Sequence, residues 1–391
     1  MKRIAINFGG GLVPGLEQVL AGAVLAARAA GCEIVGIRDG YDGLLDDGDG
    51  SAPGLVRLDP AGVEAGAIRL GVAPRHDPFR MRAVNADGAI EEVDRSAELL
   101  QRLRQAGIDG VVSVTGASAV TGLHALSVAF KLHRRGLRTV CIPKAVENEI
   151  AGVPLAFGYD SVLANVAESL QRIRQGAHDV GRLAVVEVPG RHAGWLALQA
   201  GIAAQADAVL IPEIRYDVTA LAAALEAAGR GGRRPSLVVV AEGAQAIEGA
   251  TQAEAADPLR ASLAPNADLA FGHGEHVIDR SGAAAKAVAS ALQGRAAGET
   301  MPMTLGLLPR GGPPTAVDRQ LGRLYGAGAV RSLLAGEDGV LMSWQPPEMG
   351  RVPITEALQR VRALPLDGAF VRGARALGIA LGDAVAAGGA R

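Results

Sequence analysis

Short apolar runs rich in β-branched residues recur along the chain, each followed by a small-residue turn and a longer stretch with helical spacing. Ile4–Phe8, Ile34–Ile37, Gly110–Val114, Arg138–Ile142, Leu183–Val188, Ala208–Ile211, Ser236–Ala241, Met303–Leu308 and Gly339–Met342 have the length and apolarity of buried strands. Leu16–Ala30, Ser96–Gln105, Ser161–Gln175, Val218–Ala228, Ala283–Leu292 and Ala316–Ala335 read as helices. In Ser161–Gln175 the residues Val162, Val166, Leu170 and Ile173 follow i, i+3/i+4 spacing. A further helix, to about His133, is expected to open from the turn Thr115–Gly122, and two more helices close the chain. Repeated β–α units of this length predict mostly parallel sheets with helices on both faces. Ser51–Glu92 reads as irregular, with the charged piece APRHDPFR, and the Ala/Glu/Asp-rich Ala244–Pro265 as a surface loop.

Polar residues interrupt this pattern most sharply in Cys141–Ile150, CIPKAVENEI, where Lys144, Glu147, Asn148 and Glu149 follow an apolar strand. Charges there are costly unless they meet a ligand, a metal or water, and ligands bind at the carboxyl ends of strands in open α/β sheets. A solvated loop after a buried strand is the alternative, and the segment alone leaves both open. The run Gly9-Gly10-Gly11 with Pro14-Gly15 sits between a strand and a helix. That frame can turn backbone N–H groups toward phosphate, or its glycines can serve turn geometry alone.

Composition narrows the class. The chain has 391 residues, 49% of them apolar, enough for two domains with sizeable cores. Lys and Arg (39) nearly balance Asp and Glu (41), which gives no electrostatic case for nucleic acid or an anionic membrane. Cys32 and Cys141 lie in apolar runs and read as buried thiols of a reducing compartment. MKRIAINF is too short for a signal peptide and no run approaches the roughly 18 apolar residues of a membrane span. A cytoplasmic protein is expected. HGEH, at His273–His276, fits no common zinc spacing and reads as a surface loop. Trp195 reads as core rather than a ligand-stacking platform, and His178 and Asp179 as helix-end residues or the border of a binding site.

The order of motifs resembles the phosphofructokinase family over nearly the whole chain. GGLVPG (Gly10–Gly15) is similar to that family's GGDAPG phosphate loop, and TGASAVTG to its GGDGSxxG metal and nucleotide motif. PKAVENEI is similar to the catalytic P(G/K)TIDNDI, and VVEVPGRHAG to VVEVMGRxxG. IPE, AEGA and LGLLPRGGPPTAVDR follow in order. The resemblance implies two three-layer α/β/α domains with mostly parallel sheets and an interdomain active-site cleft. The larger, phosphate-donor domain would take residues 1–157 and about 309–366, and the smaller, sugar-phosphate domain about 158–308 and 367–391. It further implies catalytic roles for Lys144, Glu147 and Glu149, and donor-phosphate contacts from Gly10, Gly11, Gly116 and Ser118. The sugar phosphate would meet Arg182, Gly190, Arg191, Glu213 and Arg310, with Arg182 reaching into a neighbouring subunit of a homodimer or homotetramer. ATP or pyrophosphate would be the donor, and Mg²⁺ the metal.

Departures cluster at the chemistry. The family's phosphate-loop Asp is Leu12, its metal-binding Asp is Ala117, and its catalytic Asp pair is Glu147 and Glu149. A second cross-subunit Arg is Met301 and a phosphate-holding His is Leu307. Ala117 removes an oxygen ligand from a cation that wants six, so Mg²⁺ would rest on Glu147, Glu149, water and the donor's phosphates. A Glu for an Asp adds about 1.5 Å of reach, and misplacement on that scale can cost on the order of 10²-fold in rate. Two functional readings stand: a phosphotransferase of altered or reduced activity, and a catalytically inactive paralogue that binds ligands or regulates.

Overall fold

A computed structural model of the chain describes residues 1–45, 54–64, 66, 68–72, 77–84, 88–116, 125–232, 234–247, 282–295 and 298–383. In chain order its strands are β1 (Arg3–Phe8), β2 (Glu33–Ile37), β3 (Leu55–Arg57), β4 (Met81–Val84), β5 (Ile90–Val93), β6 (Gly110–Thr115) and β7 (Thr139–Pro143). There follow β8 (Leu183–Val188), β9 (Ala208–Leu210), β10 (Leu237–Ala241), β11 (Thr300–Thr304), β12 (Val340–Gln345) and β13 (Glu348–Pro353). The chain divides into two compact units, one of Met1–Ala145, Ile150–Ser161 and Gly312–Val361, the other of Val146–Glu149, Val162–Gly311 and Arg362–Arg391. Lys144 and the Glu147–Glu149 stretch therefore fall in different units, where the sequence reading kept them in one. Arg310, too, falls in the second unit rather than the first.

The first unit is built on a seven-stranded sheet of order β13-β12-β7-β6-β1-β2-β3. Its centre is parallel, with Ile4 beside both Ile34 and Gly110, and only the edge pairs β12–β13 and β2–β3 are antiparallel. Ile4, Ala5, Ile6 and Phe8 are all buried, as a parallel sheet covered on both faces requires. On one face Ala5, Val35 and Val111 pack with Leu99 and Leu103 of helix Ser96–Gln105 and Leu132 of helix Ala125–Arg134. Gly110, whose side faces the other way from Val111, abuts Leu333 of helix Ala316–Leu334. That helix and helix Leu16–Ala29 approach backbone to backbone: a Cβ on Gly22 would lie 2.1 Å from Arg323 O, and one on Gly326 2.2 Å from Val19 O.

The second unit carries a four-stranded, all-parallel sheet of order β11-β8-β10-β9. Leu183, Val185, Val238 and Val240 face helices Val218–Arg230 and Ala283–Leu292. Val209, pointing to the opposite face, meets Gly201 of helix Trp195–Ala203, which completes three layers. The helix Tyr159–Asp179 begins in the first unit and runs on into the second.

Three expectations need correction. The stretch read as irregular holds β3, a short helix Pro60–Glu64 and the β4–β5 hairpin. The run read as a strand over Met303–Leu308 is instead β11 at Thr300–Thr304, and Leu307 and Leu308 are exposed. Register explains the shift, because Thr300–Thr304 pairs with Leu183–Glu187 and β8 ends one residue later. Finally, β12 continues through a turn into β13, which the sequence reading did not mark. No helix among the described residues is long and apolar enough to cross a membrane.

Candidate functional site

In the first unit the connection leaving β1 leads to β2 on one side, and that leaving β6 leads to β7 on the other. The sheet therefore has a switch point between β1 and β6, the place where open α/β sheets bind ligands. Three strand ends meet there, and each delivers a residue the sequence singled out. Beyond β1, Gly10 adopts φ 76°, a left-handed conformation that a side chain would strain. Beyond β6 lies Gly116, whose backbone N would be 3.8 Å from a Cβ on Gly10. Beyond β7, the buried Lys144 donates from Nζ to Gly11 O at 2.5 Å, and its backbone N–H donates to Thr115 O at 2.8 Å. Gly10, Gly11, Gly116 and Lys144 are thus brought together: bare backbone and one ammonium, a set suited to phosphate oxygens. Ser118 and Ala117 lie outside the described residues, as does HGEH. Beside this set the buried side-chain oxygens of Asn7 and Thr115, near the ends of β1 and β6, are polar positions that sequence reasoning missed.

In the second unit the buried carboxylate of Glu147 lies 3.8 Å from the Arg310 guanidinium. Glu149, also buried, lies 3.8 Å from Nδ1 of His192, a residue of the turn after β8. Between them Asn148 holds φ 54°, a left-handed conformation that costs a non-glycine residue roughly 1 kcal/mol or more and persists only where its surroundings enforce it. The turn Pro189–Gly194 stands at the carboxyl end of β8. Gly190 O accepts from Gly243 N at 3.1 Å, which joins this turn to the one after β10, and Arg191 follows directly.

Glu213 is engaged by the backbone on two sides. Its carboxylate accepts from Gly194 N at 3.0 Å and from Leu364 N at 2.9 Å, so it holds the turn from below. Arg182 is not brought to this group within the chain. It precedes β8, at the opposite end of that six-residue strand from Gly190, roughly 20 Å away by strand rise, and pairs with Glu299 at 2.9 Å. Trp195 is buried, as expected of core, yet it also donates from Nε1 to Arg362 O at 2.9 Å. Arg362 was not singled out, and only its charge could have flagged it.

The carboxylates offered by this unit do not form a metal site on their own. Among the described residues no group of three or more His, Cys, Asp or Glu side chains could hold an ion. Glu147 and Glu149 each already face a cationic or protonatable group. Two carboxylates supply only part of the six oxygens Mg²⁺ takes, and water or a donor's phosphates would have to supply the rest.

Comparison with known proteins agrees with the geometry. The phosphofructokinase family model matches residues 3–333. The chain is 30% identical over 384 residues to the ATP-dependent 6-phosphofructokinase of Chloroflexus aurantiacus, covering 98% of each chain. Among solved structures, phosphofructokinase from Saccharomyces cerevisiae superposes with TM-score 0.70 and 25% identity over 91% of this chain; the match spans 45% of the yeast chain. The pyrophosphate-dependent phosphofructokinase of Marinobacter aquaeolei, at 18% identity, shares the fold with TM-score 0.69 over 98% of this chain and 93% of its own.

Proposed function

We infer the activity from one premise: the chain belongs to the phosphofructokinase family. Its reaction is the transfer of a phosphoryl group from ATP or pyrophosphate to a hydroxyl of a sugar phosphate, fructose 6-phosphate or a related acceptor. The observation that carries this reading is the cluster of Gly10, Gly11, Gly116 and buried Lys144 at the sheet's switch point. Phosphoryl transfer asks the protein mainly for positioning and charge compensation. Lys144 would meet the donor's phosphates, exchanging Gly11 O for a phosphate oxygen, while the N–H groups of Gly11 and Gly116 line the same end of the sheet. Glu147 would take the proton of the attacking hydroxyl, with Glu149 beside it, and Arg310 would hold an anionic oxygen at the acceptor side. Arg191 and Gly190 would seat the sugar phosphate.

The rate should be low against both donors, because Ala117 supplies no oxygen ligand and Leu12, Met301 and Leu307 supply no charge. Mg²⁺ would enter with the donor, its phosphate oxygens completing what Glu147 and Glu149 begin. The second reading, an inactive ligand-binding paralogue, is favoured by the same residue Ala117.

A thermal-shift screen of ATP, pyrophosphate and fructose 6-phosphate tests the binding claim, since a ligand that binds only the native state raises its melting temperature. At least one donor should stabilise the wild type, and Lys144→Met should abolish that shift while leaving the shift by sugar phosphate. Equal donor shifts in both proteins would remove Lys144 from the site.

Assembly follows from Arg182. Its separation from Arg191 along β8 places it away from the acceptor site of its own chain, so that to serve another copy's it would exchange Glu299 for the ligand. A homodimer or homotetramer is therefore expected, and light scattering that finds only monomer at micromolar concentration would refute it.

A further inference from the structure

We propose that Arg362, clamped by Trp195, is a positioning residue for the loop that carries Glu147 and Glu149; this rests on reading that loop as the catalytic one. The guanidinium Nη1 donates to Asn148 O at 3.0 Å, and the Arg362 backbone N–H donates to Glu149 O at 2.8 Å. Two consecutive carbonyls of the loop thus end on one residue. Buried carbonyls need partners, and these two fix the peptide planes on either side of Glu149's Cα, just after the left-handed Asn148. These planes set where the Glu149 side chain leaves the backbone and, through the adjoining Asn148, restrain the backbone that follows Glu147.

Arg362 is itself held from two sides. Its guanidinium lies 4.1 Å from the Trp195 ring centre, and its carbonyl accepts the indole N–H at 2.9 Å. The ring is steadied edge-on by Phe370, 6.3 Å away at 85°. Glu213 closes the circuit, since its carboxylate takes Gly194 N, one residue before Trp195, and Leu364 N, two residues after Arg362. A planar fork that stacks and donates at once is a task for Arg that Lys cannot perform. The circuit links the turn bearing Arg191 to the loop bearing Glu147, so acceptor-side and catalytic groups share one frame.

Hydrogen exchange and steady-state kinetics on the full-length chain test this together. In Arg362→Ala and Arg362→Lys, amides of Val146–Ile150 should exchange at least about tenfold faster, while those of β6 and β7 keep their protection. With a donor and acceptor that the wild type turns over, kcat should fall about 10- to 100-fold while KM changes by less than about threefold, the mark of misplacement rather than lost binding. Trp195→Phe, which keeps the stacking ring and loses the N–H, should fall between wild type and Arg362→Ala. Unchanged exchange in Val146–Ile150, or a kcat loss no larger than the unfolded fraction explains, overturns the proposal. If the wild type turns over no donor–acceptor pair, the functional reading fails, and the exchange result alone upholds or overturns the clamp.

Discussion

Asp318 is fully buried, and three donors converge on its carboxylate: Gly158 N at 2.9 Å, Ser161 N at 2.7 Å and Ser161 Oγ at 2.6 Å. It thereby caps the start of helix Tyr159–Asp179, while Thr315 caps helix Ala316–Leu334 by accepting from Asp318 N. Burial raises its carboxyl above the ordinary range, against the pull of those donors. Asp318→Ala strands two backbone N–H groups and a hydroxyl in the interior, and is expected to cost about 2–4 kcal/mol of stability, read as a lower denaturation midpoint. Asp318→Asn, which keeps an acceptor oxygen, should cost less. At this scale the sequence was half legible. Lys144 and Glu147 stood out because charge follows an apolar strand, and Gly10 because three glycines precede a helix. Arg362 did not, and Trp195 stood out only as core, because their bonded partners lie 214 and 167 residues away in the chain. No local pattern records that distance.

Among the elements, β7 shows what continuous apolarity means. Its five residues are all buried, and Cys141 sits among them with its thiol pushed up to about 12, by burial above all. An unfolded thiol titrates near 8.5, so above that pH the native state binds the extra proton. The stability contributed by the neutral thiol is whole below pH ~8.5 and declines as pH rises towards 12. Native protein should resist alkylation at Cys141 at pH ~8, with labelling appearing only under denaturant; rapid labelling of the folded protein would contradict the burial. Strands of this kind were legible wherever both faces are covered, as in β1, β6, β8 and β10. β11 was not, for a physical reason. It is an edge strand with half-exposed residues and tolerates Pro302, whereas the more apolar Leu307 and Leu308 stand in solvent beyond it. Hydropathy set this strand three residues late at its start and four at its end, past Gly306, which turns the chain at φ 55°.

The whole molecule is two units whose chain passes from one to the other five times, at residues 145, 149, 161, 311 and 361. Such weaving leaves no linker in the sequence, which is why composition suggested two domains without placing their borders. It also gives the short stretch Val146–Glu149 to a different unit from Lys144, a split that motif order could not show. The central claim is that this chain transfers phosphoryl groups with Glu147 as its base. The direct measurement is steady-state transfer from ATP and from pyrophosphate to fructose 6-phosphate, in wild type and Glu147→Gln. The account predicts slow but measurable turnover with one donor by the wild type, and loss of about 100-fold or more in Glu147→Gln with ligand-induced stabilisation retained. Equal rates in the two proteins, or no turnover by the wild type with either donor, would contradict it.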